Sequence, residues 1–385
     1  MIRPVGGKLV ERVISDEKAR DKILSEDLPH VTITRDVLLE MECIAAGAYS
    51  PLKGFPHPND ICSILQSWHL EDGTPFPIPP LLHVNKSDYN GHSPGERVVL
   101  VYEGEPVGII ELDGKTRLDK KKFMDIILRT REPEHPGVAH VKAIRPHLLT
   151  GKISYLGEGW RFFGNDALLP KQAREIFKKR GWETVSIFST TNVPHCAHEY
   201  LHRLAMEQTD GLFIHALHQY RERGYVKYPP ELIRRSYKSL IDSYYPKHKV
   251  AFSMLPIIAW SAGPREVGLQ AVIRQNFGCT HLLVGRDHSG FKNVYGEYES
   301  QNALDKLGGL DIEVLPVRGP YYCKKCAMIV TENTCRHSGE HSEDVSGTRI
   351  RELLSAGKEV PDYLMRREVL RNLDEWAQAS KRGAR

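Results

Sequence analysis

From Leu169 onward, short apolar runs alternate with helical stretches of roughly ten residues or more, and this alternation limits the fold more than any other feature of the chain. Pro170 to Gly181 reads as a helix with proline early and glycine at its end. The strand at Thr184–Phe188 follows, then a helix over 195–208, a strand at Leu212–Ala216 and a helix across Glu231–Asp242. A strand at Val250–Pro256, a helix from Pro264 to Asn276, and strands at His281–Val284 and Ile312–Val317 complete the series. Strands joined by helical crossovers lie parallel, so a doubly wound α/β sheet is expected. In such a sheet ligands sit beyond the carboxyl ends of the strands.

Two of those strand ends carry histidine. The first run breaks into Ser189-Thr190-Thr191-Asn192-Val193-Pro194 and then His195-Cys196-Ala197-His198. Placing Pro194 at the first helical position, with Asn192 or a neighbour as cap, sets His195 and His198 on one face of a helix start. Free backbone N–H groups and the positive dipole end there suit an anion; the bland alternative is a histidine that only fills space. The run at His281–Val284 ends in Gly285-Arg286-Asp287-His288-Ser289-Gly290. Gly285 allows close backbone approach, Arg286 and His288 are donors, and Asp287 either orients His288 or accepts from a nucleoside. Arg265, in the first turn of the helix after Gly263-Pro264, opposes the helix dipole and is expected to meet an anion. Ser346-Gly347-Thr348-Arg349 is a further capped helix start. Together these turns predict a nucleotide site. Neither G-x-x-x-x-G-K-[ST] nor G-x-G-x-x-G occurs, which disfavours P-loop kinases and dinucleotide oxidoreductases.

The stretch before Leu169 is rich in Gly and Pro turns, with strands expected at Phe76–Val84, Arg97–Tyr102 and Pro106–Glu111 and a helix over Lys120–Arg131. A mainly β domain of barrel or irregular sandwich type is expected. Of seven cysteines, three lie near the C-terminus: Cys323 and Cys326 form a C-x2-C knuckle, followed by Cys335, His337 and His341. Three thiolates and one imidazole would close a structural Zn2+ site. His341, five residues beyond Cys335, has the easier reach and His337 the tighter one; a redox dithiol is the alternative. The pattern is not a secreted disulfide framework, and Met1–Gly7 lacks the apolar core of a signal peptide. No long apolar run suggests a membrane span. Lys and Arg (53) nearly balance Asp and Glu (49), which speaks against nucleic acid and leaves small anions as ligands. A cytoplasmic location is expected.

Ordered motifs along nearly the whole chain resemble those of the ATP sulfurylase (sulfate adenylyltransferase) family. They are Ser50-Pro51-Leu52-Lys53-Gly54-Phe55, His135-Pro136-Gly137-Val138-Ala139, Ala262-Gly263-Pro264-Arg265-Glu266, Gly285 to Gly290, and Ser346 to Glu352. The Cys323 to His337 segment matches zinc-bearing members. The resemblance implies a PUA-like N-terminal domain over 1–165, a Rossmann-like nucleotidyltransferase domain over 166–320, and a zinc-bearing, helical segment over 321–385. It implies adenylyl transfer from ATP, with Mg2+, to sulfate without a covalent enzyme intermediate, and a homodimer. His195, His198, Asn192 and Thr191 would carry the catalysis. Ser189, Arg265, Gly285, Arg286, Asp287, His288 and Val317 would hold the nucleotide and acceptor.

The chain departs from the family at the acceptor. Ser189 and Thr191 stand where the family has glutamine and a sulfate-holding arginine, and Trp260 replaces a second arginine. Val5 and Gln270 replace two histidines. Losing a guanidinium from a buried oxyanion pocket removes charge and a fixed fork of donors, and Trp260 suggests an apolar or stacking surface. Three functions therefore follow from the sequence: sulfate adenylylation, adenylyl transfer to another oxyanion or small organic acid, or nucleotide binding without catalysis.

Overall fold

The computed structural model describes residues 1–157, 160–161, 166–220, 228–337 and 339–383. The expected parallel sheet is present, in the order Glu313–Pro316, His281–Val284, Val185–Thr190, Gly211–Tyr220, Val250–Ile258. The chain starts this sheet in the middle, at Val185–Thr190. It builds outward on one side through Gly211 and Val250, then returns to the other side at His281. The strand order therefore reverses between Val185–Thr190 and His281–Val284. Helices on either side of such a reversal leave a crevice at the carboxyl ends, and both histidine-bearing turns open onto it.

The Pro264–Phe277 helix lies under that crevice, and each of its residues is buried. Its polar side chains are consumed by neighbours. Asn276 accepts from the Val5 amide at 2.9 Å and donates to the Ala48 and Ser50 carbonyls at 2.9 and 3.0 Å. Gln275 donates to the Arg3 carbonyl and accepts from the amides of Asp311 and Ile312. One helix end thus ties the N-terminal part of the chain to the parallel sheet.

The N-terminal part is β-rich, as expected, with strands in one six-stranded sheet: His30–Thr32, Arg97–Tyr102, Glu105–Arg117, His147–Tyr155 and Gly54–Phe55 in order, and Leu82–Val84 also on His147–Tyr155. Only Leu82–Val84 of the expected Phe76–Val84 strand is extended in a ladder, because Pro77, Pro79 and Pro80 have no N–H to give. The helix expected over Lys120–Arg131 is regular only through Phe123 and widens over Met124–Leu128. Arg35–Ala45 is a helix buried almost end to end, its acidic Asp36, Glu40 and Glu42 included.

After Pro320 a small sheet pairs Tyr321–Cys323 with Met328–Val330 and Ser342–Asp344, all antiparallel. Ser346 caps the Gly347–Ser355 helix through a 3.2 Å bond from the Arg349 amide, as the sequence implies, and Gly357 follows in the left-handed region. The Arg367–Gly383 helix packs against Pro230–Tyr244, where Asn372 donates to Ser239 Oγ at 3.0 Å. Among the described residues no helix is long and apolar enough to cross a membrane.

Gly54 shows how tightly the N-terminal sheet is drawn together: a Cβ there would fall 1.9 Å from the Gly151 carbonyl oxygen and 2.6 Å from Lys152 Cα. Both obstacles are backbone and cannot rotate away. Gly54→Ala should therefore lose about 3 kcal/mol in urea unfolding, whereas Gly91→Ala, which meets nothing within 4 Å, should change stability little.

Candidate active site

The helix after Val185–Thr190 begins at Cys196, with His195 as its N-cap in extended conformation and no side-chain cap. This corrects the placement expected from Pro194: the proline lies before the cap, and Asn192 does not cap the helix. The Asn192 backbone amide instead donates to Thr190 Oγ1 at 3.1 Å, and its side-chain Oδ1 is buried without a partner. His195 and His198 do share one face, as the spacing implies. Their rings stack at 3.7 Å between centroids, 23° from parallel. Nδ1 of each is buried with no hydrogen-bond partner. Burial pulls the His195 imidazole down to about 4, with Asp344 opposing weakly, and holds His198 well below its ordinary value. Both rings are therefore neutral at pH 7. His202 is engaged elsewhere, with Nδ1 2.7 Å from Tyr245 Oη.

Other unpartnered atoms gather at the same place. A Cβ on Gly347 would lie 3.4 Å from Arg351 Nη1 and 3.6 Å from Asn192 Oδ1, and Arg351 Nη1 is also buried and unpaired. Arg351 escaped the reading of the sequence, though it lies in the same capped helix as Arg349. The available signal was position: Ser346 caps that helix, and Arg351 follows one turn after Gly347.

The second turn is tied to the first turn of the buried helix. Gly263 donates to the Ser289 carbonyl at 2.9 Å, and Gln270 bridges His288 Nε2 at 3.0 Å and Ser289 Oγ at 2.9 Å. His288 is thus oriented by Gln270 rather than by Asp287, which corrects the expectation. Asp287, at φ 50°, folds its carboxylate back toward Gly290. Burial lowers His288 to about 4. Gly285 and Val317 do come together, since a Cβ on Gly285 would meet Val317 Cγ2 at 3.8 Å. Arg286 is exposed beside Glu297.

Two expectations about the crevice are overturned. Arg265 does not face a phosphate: its guanidinium donates to the carbonyls of Ile64, Leu65 and Pro77 at 2.8–3.1 Å and lies over the Trp68 ring. Those three carbonyls supply the negative partner that its place in the first turn demanded. Trp260 offers no surface to an acceptor either. It is 2% exposed and packs on Phe123 and His140, so of the two replacements that pointed to a different acceptor only Thr191 remains.

The cysteine knuckle forms a compact cluster with one imidazole. His337 Nδ1 stands 3.7, 3.3 and 3.5 Å from the sulfurs of Cys323, Cys326 and Cys335, and the four ligand atoms lie within 4.8 Å of one another. Cys326 and Cys335 are 3.6 Å apart at sulfur. Bonds of about 2.3 Å to tetrahedral zinc separate two sulfurs by roughly 3.8 Å, so this donor set fits that ion. Of the two histidines the sequence leaves open as fourth ligand, His337 joins the sulfurs, and His341, the one with the easier reach, does not. The His341 carbonyl accepts from Lys324 at the edge of the small sheet, and its ring lies 5.9 Å from that of His337, beside Glu340.

Histidine 15N chemical shifts give a direct check on the stacked pair: His195 should show a neutral ring at pH 6, with protonation setting in only toward pH 4. A charged ring at pH 6 would contradict the burial described here.

With the geometry in view, comparison with known proteins is informative. The ATP-sulfurylase family model matches residues 166–376, and a PUA-like domain model matches residues 2–158. A sulfate adenylyltransferase of Hyperthermus butylicus is 38% identical over 370 residues, covering 96% of this chain and 94% of its own. One from Chloroflexus aurantiacus is 37% identical over 370 residues, covering 95% of each chain. A solved structure described as a hexameric APS kinase from Thiobacillus denitrificans has a TM-score of 0.75 at 22% identity, covering 97% of this chain and 68% of that one. That last likeness is one of fold.

Proposed function

The chain belongs to the ATP-sulfurylase family, and from that premise we propose that it transfers the adenylyl group of ATP to sulfate, giving adenosine 5′-phosphosulfate and pyrophosphate. The observation that carries the reading is the stacked His195–His198 pair with its unpartnered Nδ1 atoms, at the end of a central parallel strand.

In the proposed step a sulfate oxygen attacks the α-phosphorus in line. A new P–O bond forms as the bond from the α-phosphorus to the bridging oxygen breaks, and pyrophosphate leaves with the negative charge. Neutral imidazoles of His195 and His198 donate to the phosphates and to the charge growing on the bridging oxygen. Being neutral, they stabilise that charge with little cost from burying a cation before ATP arrives. Asn192 and Arg351 flank the phosphates, and His288, fixed by Gln270, helps to position them. Gly285, Arg286, Asp287 and Val317 shape the nucleoside end; Ser189 and Thr191 face the acceptor. Magnesium comes with the ATP and neutralises phosphate charge. Arg265 has no part in this reading.

The cluster of Cys323, Cys326, Cys335 and His337 is proposed to hold a structural zinc ion, which ties down the small sheet and contributes folding energy. Three separate sheets support a division into a PUA-like domain over 1–165, a nucleotidyltransferase domain over 166–320 and a C-terminal segment over 321–385. All seven cysteines are free, which suits a reducing, cytoplasmic setting; the homodimer implied by the family resemblance belongs to the same proposal.

Two experiments test these points. His195→Ala should cut sulfate-dependent pyrophosphate release by roughly 100-fold or more while ATP still binds; an unchanged rate removes the residue from the mechanism. Purified protein should carry about one zinc ion per chain, and Cys326→Ser should lose the metal and lower Tm by several degrees. A metal-free wild type with unaltered Tm would rule out the structural zinc.

A further inference from the structure

Sulfate is a dianion, yet the strand end that faces it presents two hydroxyls, Ser189 and Thr191. Behind Ser189 lies a guanidinium. Arg274 is fully buried, and its Nη2 donates to Ser189 Oγ at 3.0 Å, while its Nε and Nη1 have no hydrogen-bond partner. Three N–H bonds of a charged group are thus unused in the protein interior, a costly arrangement unless an anion meets them.

Among the described residues no anion is hydrogen-bonded to Arg274 Nε or Nη1. The neighbouring Cys43 and Cys279 thiols and the Tyr49 hydroxyl are buried and held protonated, Cys279 being pushed up to about 12. The carboxylate on the same helix, Glu266, acts on Arg274 through its charge and accepts the Ala262 amide at 3.0 Å. Burial draws Arg274 down only to about 10, so it is a cation at neutral pH. An independent feature marks the same spot. His215, opposite Ser189 on the adjacent strand, is fully buried, and apart from the Met254 backbone its ring nitrogens meet no polar group. Parallel neighbours in register point to the same side of the sheet, so His215 and Ser189 both face the buried helix. His215 also touches Phe277 of that helix, at 4.7 Å between ring centroids.

We propose that Arg274, reaching up from the buried helix through Ser189 and flanked by His215, is the cationic donor that binds the sulfate acceptor in this enzyme. This rests on the adenylyl-transfer reading above. The arrangement differs from an arginine carried on the turn itself. A short side chain at 189 opens the way to a guanidinium one layer deeper, and the planar fork can present two parallel N–H bonds to two oxygens of one anion. It also accounts for an unpaired charge left in the core.

The test is steady-state kinetics with sulfate and ATP varied separately in wild type, Arg274→Lys and Arg274→Lys/Thr191→Arg. Lysine keeps the charge but loses the fork. The expected result is a sulfate KM raised at least about 10-fold, an ATP KM within about twofold, and recovery of the sulfate KM when arginine is added at 191. A sulfate KM that does not move, an equal rise in both KM values, or no recovery in the double variant would overturn the proposal and leave Arg274 a structural residue. If the lysine variant does not fold, Ser189→Ala decides. It frees Nη2 and should shift the sulfate KM alone; no shift overturns the proposal. Failure of the underlying reading is separately visible, since wild type would then release no pyrophosphate on addition of sulfate.

Discussion

A helix buried on every side is what the rest of this molecule is arranged around. Pro264–Phe277 has no solvent face, so each polar group on it must find a partner in the protein or be left at a cost of a few kcal/mol. The lower end settles this with backbone: Asn276 and Gln275 satisfy amides and carbonyls of Arg3, Val5, Ala48, Ser50 and Asp311. The upper end settles it with the crevice turns, through Glu266 to Ala262 and Gln270 to His288 and Ser289. Glu266, Gln270 and Arg274 are four apart and form one polar ridge. Two rungs of that ridge are closed by the protein, and the third is only partly closed.

The parallel sheet turns this scaffold into a site. Because strand order reverses beside Val185–Thr190, the turn bearing His195 and the turn bearing His288 face each other across one crevice instead of pointing to opposite sides. Burial then sets the electrostatics. Among the described residues no carboxylate is bonded to these imidazoles, so burial keeps them neutral, and as proposed they would offer donors to phosphate without repelling Arg351 or the guanidinium below Ser189.

How much of this could be read from the sequence depended on periodicity. The alternation after Leu169 gave strands and crossovers close to their observed bounds, and the His195–His198 spacing gave a shared face. Elements covered on all sides were harder. Arg35–Ala45 buries three carboxyl side chains along with its apolar ones, and the N-cap at His195 could not be told from one at Asn192 without backbone angles. Arg265 misled because a cation in a first turn can be satisfied by carbonyls from a distant loop, which no local pattern reveals. His341 misled because reach along the chain says nothing about which carbonyl a strand edge has claimed. Arg274 was visible only as one of several polar residues on the Pro264–Phe277 helix, and its meaning needed the third dimension.

The small C-terminal sheet is not a remote appendage to this chemistry. Ser342–Asp344 leads directly into Ser346 and Gly347, which bring the Gly347–Ser355 helix against Asn192. Further on, the Leu364 carbonyl accepts from the Cys196 amide at 3.0 Å, so that chain rather than a side chain closes the first turn of the histidine-bearing helix. Arg366 then grips the buried Glu199 carboxylate with two 2.7 Å bonds, a fork that holds Glu199 below the usual carboxylate range. The helix start that presents His195 and His198 is thus held from outside by residues 344–366. The ion proposed for Cys323, Cys326, Cys335 and His337 would sit one strand away from that grip, because Tyr321–Cys323 pairs with Ser342–Asp344. A metal that touches no substrate would in this way set the angle of His195 and His198, by fixing the strand from which their clamp departs.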